Sequence, residues 1–404
     1  MFKIINILFI MLVATVSCSD GSEKVIVPPK DTTNVPGKEV AAHARGKEMF
    51  DLIINKYKIS NTNFFSESYP PQPVDPAYAY LWSHVATTNA AATIKQLGYS
   101  MDYTGIVNTY EKYFSSGRNN NIGGYNSASD GSAGKGTRFY DDNSIVGISL
   151  IEAFHITNNS EYIQKAKRIV TFLQSGIDTK FGGGLWWNED EKNMEGNANS
   201  NKPACANGYA VLFLMQYYEV CDPSEKTQVL NMAKELYIWL RTNLYDGSTK
   251  CYWNDKNASG NINYTIWTYN TGVMIQNGIR LYKATGDQKY IDEAKESASG
   301  SYDYFIKVRN GVLSFPDHDP WFNTKLLRAY IDIAPYFKPA ENYINTYFNF
   351  INYAYDHSRT AEGLFYEDWT GSSQKRYYLL LMQAAVVESY GAIALYRNED
   401  ITKD

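Results

Sequence analysis

The strongest regularity in the chain is helical. Beyond residue 40, apolar and small residues recur at spacings of three and four, as in Ile145, Ile148, Ser149, Leu150, Ala153 and Phe154, which places them on one face of a helix. Strand-like alternation is rare. The periodic stretches come in pairs divided by short polar breaks. Residues 142–157 give way at Asn158-Asn159-Ser160 to residues 161–174, and residues 207–220 and 225–242 flank Asp222-Pro223-Ser224, a helix-start signal. The pattern repeats as 271–284 with 288–307 and as 322–336 with 340–355, and an earlier pair is 83–97 with 101–114.

Four of the first helices open near an asparagine, Asn143, Asn207, Asn270 and Asn323, and each second helix is followed by a loop rich in glycine and aromatics: GGYN at 123, GGGLWWN at 182, CYWN at 251, GVLSF at 311 and GLFYEDW at 363. This is a five-fold helix-hairpin repeat. A sixth pair forms if residues 377–397 pack against residues 41–58, which closes the array and removes the need for polar end caps. The predicted fold is therefore all-α, an (α/α)6 barrel of six hairpins in a ring. An antiparallel hairpin returns the chain to the end where it began, so the loops and the starts of the inner helices share one rim, the expected working face.

Composition narrows the function. Lys and Arg total 38 against 43 Asp and Glu, a net charge of −5 with no long run of like charge, which argues against a nucleic-acid groove or a polybasic membrane surface. The 34 tyrosines, 18 phenylalanines and 8 tryptophans make 15% of the chain aromatic; such rings suit a core and equally a surface that stacks on sugars. Most tyrosines, such as Tyr217-Tyr218 and Tyr377-Tyr378, fall at helical positions and are assigned to packing. At the N-terminus, Met1-Phe2-Lys3 and a short apolar stretch ending at Ser17-Cys18 read as a bacterial lipoprotein signal over residues 1–17, with Cys18 lipidated. Residues 18–40, polar with three prolines, read as a tether to a domain at 41–404. The protein is thus expected to be exported and held to the cell envelope by a lipid anchor, and to act as a monomer. Cys205, Cys221 and Cys251 remain, with no CxxC and no nearby histidine at ligand spacing, so neither a metal nor a cofactor is expected. Whether Cys205 and Cys251 pair is left open.

Candidate chemistry centres on Tyr140-Asp141-Asp142-Asn143 at the start of an inner helix. Adjacent acids there can simply cap the helix. Facing a cleft between aromatic loops, they are also what glycosidic cleavage needs, an acid for the leaving oxygen and a second carboxylate as nucleophile or base. Repulsion between them would leave one protonated and one ionised. Trp186 and Trp187 follow three glycines and read as sugar contacts or as packing under the rim. Tyr269 and Asn270 open another inner helix toward the mouth. Trp253, Trp321, Phe322 and Trp369 divide evenly between the two roles, Trp82 and Trp239 are assigned to the core, and Asp317 and Asp319 bind hydroxyls or cap a turn.

The order of these segments resembles glycoside hydrolase family 76, the endo-α-1,6-mannanases. The resemblance is carried by Tyr140-Asp141-Asp142-Asn143, the segment 150–157, Gly182-Gly183-Gly184-Leu185-Trp186-Trp187-Asn188, Asn207 and Trp267-Thr268-Tyr269-Asn270-Thr271-Gly272. It implies the (α/α)6 fold and a retaining reaction on α-mannan, with Asp141 as nucleophile, Asp142 as general acid/base, and Tyr140, Asn143, Trp186, Trp187, Asn207, Tyr269 and Asn270 binding substrate. On an extended segment neighbouring side chains point apart, so a turn is expected to bring the two carboxyls together. Ser144 and Ile145 stand where the family often has tryptophan, and Thr271 where it often has glutamine; these departures bear on subsites. Competing readings are a mannan transglycosidase, a glycan-binding protein without turnover, and an unsaturated-uronide hydrolase, for which Arg138 is the one cation beside the pair.

Overall fold

The computed structural model describes residues 40–116, 121–129, 136–317, 319–371 and 375–402. The expected signal segment, Cys18 and all but the last residue of the expected tether lie outside the described residues. Six helices form an inner ring: α2 (Leu81–Gln96), α4 (Tyr140–Thr157), α6 (Ala204–Val220), α8 (Thr268–Thr285), α10 (Pro320–Ile333) and α12 (Leu380–Tyr396). Each packs on the next, and α12 packs back on α2. Outside lie α1 (Ala42–Tyr57), α3 (Tyr103–Asn108), α5 (Glu161–Gln174), α7 (Lys226–Asn243), α9 (Gln288–Phe305) and α11 (Ala340–His357). The first helix, α1, packs on the last, α12. The chain is an (α/α)6 barrel.

The two layers follow from side-chain pattern. Outer helices are amphipathic: α5 buries Tyr162, Ala166, Ile169, Val170, Phe172 and Leu173, while Glu161, Gln164, Lys167, Arg168, Thr171 and Gln174 are exposed. Inner helices touch neighbours on every side and are largely apolar or small, with buried charges kept to the two cavities; α12 is buried continuously from Leu380 to Ala394. Small residues set the spacing between them. A Cβ at Gly147 of α4 would stand 2.5 Å from the Phe213 ring of α6.

The recurrent asparagines explain how the rim is held. The inner helices start up to three residues before them, so that Asn143, Asn207 and Asn323 are fourth residues rather than caps. Asn207 Nδ2 donates to the Leu185 and Pro203 carbonyls at 2.9 and 2.8 Å, and its Oδ1 accepts the Leu185 N–H at 2.7 Å. Asn143 holds Tyr125 in the same way, and Gln383, fourth in α12, holds Phe365. Each amide pairs with a loop backbone as a β-strand would, tying loop to helix. Asn323 bonds the Pro316 carbonyl and the Thr268 hydroxyl.

Two expectations change and one open question is answered. The predicted second helix at 101–114 is a six-residue helix followed by a 3-10 turn at Thr109–Lys112. The CYWN loop opens a strand, Cys251–Asn257, that pairs with Asn201–Pro203 and Ile262–Ile266, so the rim carries a small antiparallel patch. Cys205, Cys221 and Cys251 are all free thiols. Because Asn207→Ala would strip partners from three buried backbone groups, it is expected to lower stability by about 3 kcal/mol, measured by urea unfolding, while Asn207→Gln should recover only part of the loss.

Candidate active site

At the rim, the starts of the inner helices surround a cavity of about 630 Å³. Its lining repeats around the ring. The second residue of an inner helix points inward five times: Trp82 in α2, Asp141 in α4, Cys205 in α6, Tyr269 in α8 and Leu381 in α12. The sixth, Trp321 in α10, is buried against Trp82, ring centroids 4.6 Å apart. Loops complete the wall with Glu67, Tyr80, Ser127, Phe139 and Trp187, and the strand Cys251–Asn257 adds Asn254.

The glycine run places Trp187. Gly184 has φ +83°, and a Cβ there would lie 2.5 Å from the Trp239 indole, so only glycine lets the chain cross that ring. Beyond it the segment is extended, the Trp186 N–H bonding Gly176 and the Trp187 N–H bonding Asn201. Successive side chains then face opposite ways. Trp186 turns under the rim, 1% exposed, donating to Asp178 at 2.7 Å beneath the Lys202 ammonium. Trp187 turns into the cavity against Phe139, and its indole N–H donates to Asp141 Oδ2 at 3.2 Å.

The two aspartates lie within the first turn of α4, not on an extended segment, and Phe139 is the cap, so neither carboxyl caps the helix. Their surroundings differ. Asp141 receives the Trp187 indole N–H, the Cys205 thiol at 3.1 Å and the Asp142 N–H at 3.1 Å. Burial raises its pKa, and these donors oppose the rise. Asp142 receives no hydrogen bond from any described residue. Burial first, then the charge of Asp141, holds it well above the ordinary carboxylate value. Both shifts are upward and that of Asp142 lacks the opposing donors, so Asp142 is the first of the two to take up a proton and Asp141 the one favoured to carry the charge. A third carboxyl, Glu67, takes the Ser83 hydroxyl and the Tyr80 N–H and is pushed up to about 7, chiefly by burial.

Of the residues singled out from sequence, Asp141, Asp142, Trp187 and Tyr269 meet in the cavity, with Tyr269 stacked on Phe322 at 3.9 Å. The others do not. Tyr140 is buried against Phe172 and bonds Ser175. Asn143 and Asn207 spend their amides on backbone, and Asn270 is buried behind Asn254, to which it donates at 3.3 Å. Trp186, Trp321 and Trp369 are buried, Trp253 packs edge-on to Tyr264, and Asp319 caps α10. Arg138 is not a rim cation but is buried in a two-point ion pair with Glu189. Trp82, assigned to the core, lines the cavity. Cys205, Phe139 and Glu67 carried no motif, and Asn254 closes the CYWN loop without having been singled out there; for Cys205 and Trp82 the available signal was their place as second residue of an inner helix.

A helical barrel whose mouth holds two buried, unequally titrating carboxyls beside aromatic walls defines a glycoside hydrolase. The sequence matches the profile of glycosyl hydrolase family 76 over residues 42–396. The chain belongs to that family. Solved structures agree in fold. A family 76 α-mannanase of Bacteroides thetaiotaomicron is 24% identical with a TM-score of 0.76, over 90% of this chain and 97% of that one. An α-1,6-mannanase of Salegentibacter sp. HEL1_6, inactivated by replacing two consecutive aspartates and bound to α-1,6-mannotetrose, is 21% identical with a TM-score of 0.72, over 88% and 99%. Dfg5 of Chaetomium thermophilum, bound to glucosamine, is 15% identical with a TM-score of 0.68, over 90% and 92%. No curated protein sequence matches significantly.

Replacing Trp187 by Phe keeps a ring in the wall and removes one donor from Asp141. The ionised form loses support, so its pKa rises, and the acidic limb of the kcat/KM profile is expected to move up by about one pH unit.

Proposed function

We propose that this protein is a retaining, endo-acting hydrolase of α-1,6-linked mannan, exported, anchored through a lipidated Cys18 and active as a monomer. The observation that carries the reading is the unequal pair: Asp141 with three donors, Asp142 with none among the described residues. Adjacent residues have Cα atoms about 3.8 Å apart, and two carboxyls on neighbouring short side chains can approach to the roughly 5–5.5 Å that a retaining enzyme uses. Retention fits that spacing. Asp141 attacks C1 of the sugar while Asp142 gives its proton to the departing glycosidic oxygen. A glycosyl ester forms on Asp141 and the leaving oligosaccharide departs. Asp142, now ionised, takes a proton from water, whose oxygen attacks C1 and frees Asp141.

Substrate class follows from the lining. Among the described residues that line the cavity none is Lys, Arg or His, which favours a neutral glycan over a uronide. Trp187, Trp82 and Phe139 offer apolar faces to pyranose rings, and the mannotetrose bound by the Salegentibacter relative supports a linear α-1,6 chain.

On debranched α-1,6-mannan, wild type is expected to release mixed oligosaccharides; mannose or mannobiose alone would overturn endo action. Asp141→Ala should reduce turnover on the order of 10⁴-fold or more, and Asp142→Ala by about 10²- to 10⁴-fold. With an aryl α-mannoside and azide, Asp142→Ala should yield the α-mannosyl azide and Asp141→Ala the β-anomer; the reverse outcome would exchange the roles. Equal, negligible release by wild type and Asp141→Ala would leave only binding.

The kcat/KM profile should be bell-shaped. Activity falls with decreasing pH as Asp141, which acts ionised, takes up a proton above the ordinary carboxylate range, and falls with increasing pH as Asp142, which acts protonated, loses its own.

A further inference from the structure

The barrel has a second opening. From the middle of the inner helices to their C-terminal ends, all six contribute to a separate cavity of about 280 Å³, sharing none of the residues that line the catalytic cavity. Its lining is charged where an inner-barrel core is ordinarily apolar. At its base Glu388, 2% exposed, takes two contacts of 2.8 Å from the Lys325 ammonium and one of 3.1 Å from Arg328 Nε. Lys325 also lies over the Trp321 ring, 4.5 Å from its centroid. A buried ion group of this kind adds little net stability over an apolar filling, so stability alone does not account for it.

The group is not self-contained. Arg328 spends only Nε on Glu388, and its four remaining N–H donors meet no acceptor among the described residues. Glu152, across the same cavity, accepts one bond, from Gln96 at 3.0 Å, and its electrostatic partner Arg328 stands beyond salt-bridge contact. Two further residues of the lining, Asn89 and Tyr209, carry buried oxygens with no partner. Unspent donors on one side therefore oppose an unspent acceptor on the other, across a gap. A hydroxyl both accepts and donates, and bridges such a gap where a simple anion or cation meets a like charge. The charges around the cavity, Lys325, Arg328 and Arg280 against Glu388, Glu152, Glu219 and Asp332, nearly cancel, so a neutral ligand incurs no Coulombic penalty. The volume, room for about nine waters, suits a single pyranose and not a chain.

We infer that the far mouth of the barrel is a binding site for one neutral polyhydroxylated molecule of monosaccharide size, held between Arg328 and Glu152. The site is independent of the catalytic cavity and does not rest on the proposed mannanase activity. Crystals of the full chain soaked with D-mannose, and in parallel with myo-inositol, are the direct test. A ring in the far cavity with hydroxyls on both Arg328 and Glu152, from either probe, is the expected result. Calorimetry of D-mannose binding should then resolve a site whose affinity falls about tenfold or more in Glu152→Gln and in Arg328→Gln, while Trp187→Ala leaves it in place and mannan turnover in Glu152→Gln stays within about twofold of wild type. Glu152→Gln keeps the test open if Arg328→Gln fails to fold. Only ordered water in the cavity under soaks that fill the catalytic site, or affinities unmoved by Glu152→Gln, would overturn the inference.

Discussion

A bond between one side-chain amide and one loop peptide fixes the geometry on which everything else depends. Asn143, Asn207 and Gln383 each present a donor and an acceptor to the backbone of the loop before their helix. Without such pairing a buried loop would leave its peptide groups unsatisfied at a cost of about 1–3 kcal/mol each. With it, the loop can pass beneath the rim, and the helix is registered so that its second residue faces the axis. The inward turn of Asp141, Cys205 and Leu381 is a consequence of that registration rather than of any local sequence signal. The aspartate pair sits where it does because Asn143 is held, not because a turn bends an extended strand.

The chemistry is built from the same economy. A barrel mouth lined by apolar rings strips water from both carboxyls, which alone would protonate the pair. Three donors from three different elements, the indole of the glycine-run loop, the thiol of α6 and the α4 backbone, converge on Asp141 only. That asymmetry divides two chemically identical neighbours into an acceptor of charge and a holder of a proton. The Cys205 thiol is part of this division, and its own titration is pushed up, first by burial and then by Asp141, so it remains a donor.

How much of this the sequence carried depends on the kind of signal. Hairpin pairing and ring closure were legible because helical period survives in any packed layer. The asparagine period was legible too, but not its meaning: an amide that clamps a peptide and one that grips a sugar look alike until burial is known. Asn143, Asn207 and Asn270 were therefore expected at the substrate and are found in the scaffold. Trp186 and Trp187 could not be told apart, since which of two neighbours turns inward depends on where Gly184 crosses Trp239. Trp82 was assigned to the core, yet it stands in the first turn of its helix, and a first turn at the mouth obeys a different rule from the middle. Gln383 went unnoticed because the repeat was followed through one residue type, whereas the physical requirement is an amide of either length.

Trp187 carries two duties in one side chain. Its face is a wall of the cavity and its edge is a donor to Asp141. A sugar that presses on the face also fixes the edge, so tightness of grip and readiness of the nucleophile are not separately adjustable at this position. Variation in preferred substrate is freer at Tyr80, Ser127 and Asn254, which touch the same space without touching the charge, and a designer seeking new specificity would begin there.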